Sequence, residues 1–139
     1  MTLKMTMQDL QAFLAREFPQ VKDDFTITAL DEGRVRVRME AAERHLRPGG
    51  TVSGPSMFAL ADVAMYLAVL SMVGPKALAV TTNCAIDFMR KPAPGALTAE
   101  ARVLKLGRQL AVGDVLIFAA GDDRPVARAS LTYSIPPRG

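Results

Sequence analysis

The chain has 139 residues, 50% of them apolar and 22% charged, with 17 Lys and Arg against 14 Asp and Glu. That length predicts one domain with its own core, and the composition is that of a folded rather than a disordered chain. One Cys and one His exclude an internal disulfide and every multi-Cys zinc site, and the scattered net charge of +3 does not demand nucleic acid.

Met5 to Phe18 reads as an amphipathic helix, with Leu10, Phe13, Leu14 and Phe18 at helical spacing and Pro19 ending it. Lys4, Asp9 and Arg16 interrupt any apolar run, so no secretory leader is expected. Asp24 to Leu30 is predicted as a strand, followed by a turn at Asp31-Glu32-Gly33. Arg34, Arg36 and Arg38 then alternate with Val35, Val37 and Met39, the pattern of a strand with one charged and one buried face. Glu43 to Val52 is a loop broken by Pro48-Gly49-Gly50.

Ser53 is a good N-cap, and Pro55 falls in a first turn, where its missing N–H costs little. The helix that follows is apolar on every side, with Met57, Phe58, Leu60, Val63, Met65, Leu67, Val69 and Leu70, which predicts burial on every side. Gly54 to Val73 is also long enough to cross a bilayer. Asp62 near its middle would cost roughly 2.5–3.5 kcal/mol or more there, so a buried helix and no membrane span is expected. Gly74-Pro75 stops it.

Four strands follow. Leu78 to Arg90 is rich in β-branched residues, and Cys84, in phase with Ile86 and Phe88, reads as a small buried hydrophobe. Leu97 to Leu106, Gln109 to Ala120 and Val126 to Ile135 are joined by short turns, which predicts an antiparallel meander. The tail from Pro136 to Gly139 reads as loose. The expected architecture is α+β in a single domain over 1–139, with its core over 24–135. An antiparallel curved sheet of about six strands wraps one long buried helix, and a short helix precedes it. One sheet face covers only part of that helix, so a second copy is expected on the far side through an isologous contact.

The residues that carry chemistry are few. A carboxylate on an all-apolar helix, Asp62, is expensive unless it is working or bonded to Ser, Thr or backbone groups. The amides at the helix start, Gly54 foremost since Pro55 lacks a donor, can hold a developing oxyanion. Eight residues of helix separate the two by roughly 12 Å, so one carboxylate cannot serve its own helix start. Two antiparallel helices in a dimer would bring them together. A single His makes a Ser-His-Asp triad unexpected, and Ser53 and Ser56 read as cap residues. Met57, Met65, Met72 and Met89 line an adaptable apolar pocket or fill the core.

His45 to Gly54 (HLRPGGTVSG), Leu60-Ala61-Asp62, Ile86 to Pro92 (IDFMRKP) and Val103 to Ala111 (VLKLGRQLA), in this order, resemble the hotdog fold. Within that fold they resemble the small acyl-CoA thioesterases of the phenylacetate-degradation (PaaI-like) type, over Phe25 to Ile135. The family's loop reads His-x-Asn-x-x-Gly-x-x-His-Gly-Gly. His45, Gly50 and Gly54 match it; Arg47, Ser53 and Pro55 depart from it.

The resemblance implies that Asp62 acts as base or nucleophile and that Gly54 supplies the oxyanion contact. A polar side chain on the family's third strand falls on Thr81 or Asn83. Substrate contacts would come from His45, Arg47, Gly50, Ser53 and Met57, where Arg47 could hold a phosphate or an acyl carboxylate or equally anchor the loop, and His45 reads more readily as a structural loop residue than as a catalyst. Arg90, Lys91, Lys105 and Arg108, at strand ends and turns, are candidates for the phosphates of coenzyme A or an ordinary solvated surface. An acyl-CoA substrate is implied, with coenzyme A as part of it, no other cofactor and no metal. A cytoplasmic homodimer or dimer of dimers is implied too. A non-catalytic acyl-CoA-binding protein is the alternative that the departures favour. An enoyl-CoA hydratase or dehydratase would want a His after residue 45, and there is none.

Overall fold

In the second strand Arg34, Arg36, Arg38 and Glu40 are exposed while Val35, Val37 and Met39 are buried. Alternation of this kind places every second side chain under cover, and it recurs along the sheet. The computed structural model describes residues 2–137, so Arg138 and Gly139 of the expected loose tail lie outside the described residues. Six strands form one sheet: β1 (Phe25–Asp31), β2 (Arg34–Glu40), β3 (Val80–Phe88), β4 (Ala96–Leu106), β5 (Leu110–Ala119) and β6 (Pro125–Ser134). Their order is β1-β2-β4-β5-β6-β3, and every neighbouring pair is antiparallel. β4, β5 and β6 make the expected meander, and β3 pairs with β6. This is the hotdog arrangement that the resemblance implied, with each strand ending within two residues of its expected bound.

The first helix, α1 (Met7–Glu17), starts two residues later than the apolar spacing suggested. The reason is a capping box. Thr6 Oγ1 accepts from the Asp9 N–H at 3.0 Å, and Asp9 Oδ2 accepts from the Thr6 N–H at 2.9 Å. Gln11 on α1 covers an open edge of the sheet. Its Nε2 donates to the Phe25 carbonyl at 3.1 Å, and its Oε1 accepts from the Ile27 N–H at 3.0 Å. The β1 edge is thereby partly satisfied by a side chain.

The long helix, α2 (Gly54–Val73), is capped by Ser53, whose Oγ accepts from the Ser56 N–H at 3.2 Å. Its length and mean hydropathy of 1.8 suit a membrane span, yet 67% of that stretch is buried inside the chain's own fold. The sheet does not cover it evenly. Pro55, Phe58, Ala59, Asp62 and Tyr66 form a less buried stripe along one side.

β3 departs from the expected pattern. A bulge falls between Thr81 and Asn83, where Thr81 pairs with Tyr133 but Asn83 pairs with Thr132. The extra residue puts Thr81 and Cys84 on the inner side and leaves Cys84 and Ile86 in their predicted phase, on a strand at the sheet's edge. Cys84 and Ile86 are half-buried rather than buried, Phe88 is 49% exposed, and Asn83 faces away from the core. Among the described residues no strand pairs with the outer side of β3. Leu78 before it is 82% exposed and Val80 on it 56%.

Gly113 on β5 packs against the Met65 side chain of α2 with no room for a Cβ. A Cβ there would lie against the Arg102 carbonyl oxygen and 2.7 Å from Met65 Sδ. Gly113→Ala should therefore push on the β4 backbone at Arg102, displace the end of the Met65 side chain and destabilise the fold by about 1–3 kcal/mol in urea unfolding. An unchanged midpoint would show that this contact is slack.

Candidate active site

Asp62 is the one charged residue of α2, and the fold brings two hydroxyls to it. Thr81 Oγ1 donates to Asp62 Oδ1 at 2.5 Å. The Tyr133 hydroxyl lies 2.6 Å from the same Oδ1 and 2.9 Å from the Asp62 carbonyl oxygen. Its single proton goes to the carboxylate, because a bond to a charged acceptor is the stronger one. Thr81 and Tyr133 face each other in the β3–β6 register, so one rung of the sheet supplies both donors. Burial first, and then the Asp62 charge, push the Tyr133 hydroxyl far above its ordinary pKa, which keeps it a donor.

Asp62 Oδ2 accepts from no described residue. No buried polar side-chain atom among the described residues lacks a partner, so Oδ2 is reachable from outside. A cavity of about 330 Å³ lies beside it, walled by Phe18, Val63, Tyr66, Ala79 and Val80 with Asp62, Thr81 and Tyr133. A larger groove of about 490 Å³ crosses the outer face of the sheet. Four of its charges pair within it, Arg36 with Glu100 at 3.6 Å and Arg102 with Asp114 at 2.9 Å, and Arg128 pairs with Asp87 at 3.0 Å outside it; the groove lies on the face of the sheet away from α2 and Asp62. The smaller cavity is the candidate site.

The other sequence-picked residues lie elsewhere. Asn83 sits past the bulge on the exposed side and does not reach Asp62. Gly54 and Ser53 are at the far end of α2, and the Phe88 ring stands 3.3 Å from where a Gly54 Cβ would be. The Gly54 N–H finds no acceptor among the described residues. His45 is buried in a loop, where its Nδ1 accepts from the Ala42 N–H at 2.8 Å. Burial, with help from Arg44, lowers its pKa, so at neutral pH it is an uncharged loop anchor. Arg47 and Gly50 are exposed in the same loop, where Arg47 N–H donates to Thr51 at 2.9 Å and Gly50 N–H to Arg47 at 2.9 Å. Met57 is buried in the core. Arg90, Lys91, Lys105 and Arg108 are exposed, and Arg90 donates to the Pro125 carbonyl at 2.5 Å. None of these lines the Asp62 cavity.

Two contributors escaped the sequence pattern. Tyr133 looks like one more inward residue of an alternating strand, although a buried Tyr needs a partner for its hydroxyl. Tyr66, the chain's other Tyr, also lines the cavity, its ring centroid 6.2 Å from that of Tyr133. Cys84 is not a nucleophile here: burial first, then the Asp62 charge, hold its thiol above the ordinary value. Among the described residues no three His, Cys, Asp or Glu side chains converge in a metal-binding group. Tyr133→Phe removes a charge-assisted bond from Asp62 and should cost about 1.5–3 kcal/mol in denaturant unfolding. A loss near zero would mean that Thr81 alone compensates the carboxylate.

The chain is similar to known proteins over most of its length. The family model described as Thioesterase superfamily matches residues 49–126. A candidate thioesterase from Silicibacter sp. TM1040 is 57% identical, with 99% of this chain and 96% of that one covered and a TM-score of 0.91. The PaaI protein of the E. coli phenylacetic acid degradation operon is 28% identical over 91% of this chain and 95% of that one, with a TM-score of 0.76. A variant of the phenylacetic acid degradation protein PaaI from Thermus thermophilus is 29% identical over 85% and 99%, with a TM-score of 0.74. With a sheet wrapped on one buried helix, a carboxylate on that helix and a family match spanning the helix and the three strands after it, the chain belongs to the Thioesterase superfamily.

Proposed function

We propose that the protein hydrolyses an acyl- or aryl-CoA thioester to the free acid and coenzyme A, at a site shared between two copies. The observation that carries this is Asp62 Oδ1 saturated by Thr81 and Tyr133 while Oδ2 stays open beside a cavity. A carboxylate locked by one oxygen presents the other in a fixed direction, either as base toward a water or as nucleophile toward the carbonyl. Coenzyme A enters as the thiol half of the substrate. It leaves as CoA-SH once the C–S bond breaks and water's oxygen has joined the acyl carbon.

The oxyanion contact has to come from elsewhere, and the edge strand suggests how. If two β3 strands pair antiparallel about their midpoint, Cys84, then Val80 stands opposite the partner's Phe88 and Thr81 opposite the partner's Asp87. The Phe88 ring packs on the start of its own α2 at Gly54. That register therefore carries the partner's Gly54 amide toward the Thr81–Asp62 end of the first copy. It would also cover Leu78, Val80 and Phe88, whose exposure on an unpaired edge otherwise invites aggregation.

A panel of acyl-CoAs with a free-thiol readout, wild type beside Asp62→Asn, tests the reaction. Thiol release should fall by about 10²–10⁴-fold in the variant, with the fold retained. Tight binding of acyl-CoA without release would make the protein a binding module, and hydration of an enoyl-CoA would make it a hydratase. Either result overturns the proposal.

A further inference from the structure

The walls of the Asp62 cavity hold two carboxylates, Asp62 and Glu17, and among the described residues no Lys, Arg or His. Glu17 is the last residue of α1, where the helix carbonyls place partial negative charge and disfavour an anion. Helix stability therefore does not account for it. Its only ion pair among the described residues is with Arg16, Nε to Oε2 at 3.6 Å, with the two side chains 66% and 39% exposed. Exposed pairs of that kind neutralise little. The Arg16 guanidinium instead lies over the Phe13 ring, 5.4 Å from its centroid, and does not line the cavity.

Apart from the Asp62 cluster and Glu17, the wall is aromatic and aliphatic. The Tyr66 hydroxyl already donates to the Ala77 carbonyl at 3.0 Å. Burial, and then the Glu17 charge, raise its pKa, so it stays neutral and offers no positive counterpart. Within one copy, a group entering from Asp62 toward α1 meets apolar surface and two carboxylates.

We infer, resting on the hydrolase proposal above, that this cavity takes the acyl group and that Glu17 is a specificity residue admitting uncharged acyl chains and rejecting those that end in a carboxylate. At about 330 Å³ the cavity has room for a short chain or a single ring but not for the nucleotide of coenzyme A, whose phosphates the same carboxylates repel. The acyl end points toward Glu17, and the coenzyme lies outside. Arg47, a candidate from sequence for an acyl carboxylate, is exposed on its loop and lines no part of this cavity.

The test compares neutral acyl-CoAs with their ω-carboxyl counterparts of equal length: hexanoyl with adipyl, octanoyl with suberyl, phenylacetyl with 4-carboxyphenylacetyl. Wild type should favour the neutral member in kcat/KM by about tenfold or more, with KM carrying most of the difference. Glu17→Gln should bring that ratio toward one, and Glu17→Lys should reverse it. Glu32→Gln, in the exposed β1–β2 turn, should leave it unchanged. Equilibrium binding of the matching non-hydrolysable CoA thioethers reads the same preference without turnover, so failure of hydrolysis and failure of the charge filter are told apart. A ratio near one in wild type, or one that neither Glu17 variant moves, overturns the inference.

Discussion

One carboxylate on an otherwise apolar helix sets the terms for the rest of this fold. Unpaired, Asp62 would cost several kcal/mol to hold against the sheet. Thr81 and Tyr133 offset that cost from a single rung of β3 and β6, and in doing so they fix the rotation of α2 about its axis. Other features follow from that rotation. Met65 faces Gly113 and the helix sits close on the sheet, while the Pro55–Tyr66 stripe is left facing outward. On the proposed function, stability and chemistry share one cluster, in which one oxygen of Asp62 is bonded within the fold and the other is left for the substrate.

The fold was legible because it rests on patterns of period two and on an uninterrupted apolar helix. Arg34 to Met39 announces a half-buried strand without reference to anything distant. Ser53 and Gly74 mark the ends of α2 by the chemistry that helix termini require. Asp62 stood out in the sequence because a charge in an apolar run is expensive unless it is working or hydrogen-bonded, and the family resemblance pointed to the first. The site was less legible where a long-range event decides. The bulge after Thr81 turns Asn83 outward, and no residue type in that stretch signals the extra position. Tyr133 is hidden for the opposite reason: its place in the alternation is ordinary, and only its partner, 71 residues away, makes it a donor to the site. Glu17 and Phe18 reach the cavity only because α1 docks on the β1 edge through Gln11.

Three features that have no common local cause meet at one place. β3 is an unpaired edge with large apolar side chains exposed, α2 turns its less buried stripe to the same region, and the cavity opens beside Thr81 at the start of β3. The second copy proposed above, laid along β3, would account for all three. It would also bring together the Gly54 amide and Asp62, which lie too far apart on one helix to act on one carbonyl. The departures at Arg47, Ser53 and Pro55 then matter less than they do on paper. Arg47 is remote from the cavity, Ser53 serves as a helix cap, and Pro55 leaves the Gly54 N–H as the donor at that end.

Mixed dimers test the shared site most directly. A chain carrying Asp62→Ala and a chain carrying Gly54→Pro, which lacks the amide proton, should each be inactive alone. Unfolded together, refolded and assayed for thiol release, they should recover up to about a quarter of wild-type activity, since half the dimers are hybrids and each hybrid holds one intact site of two. No recovery from refolded mixtures shown to contain hybrid dimers would contradict a site built from both copies.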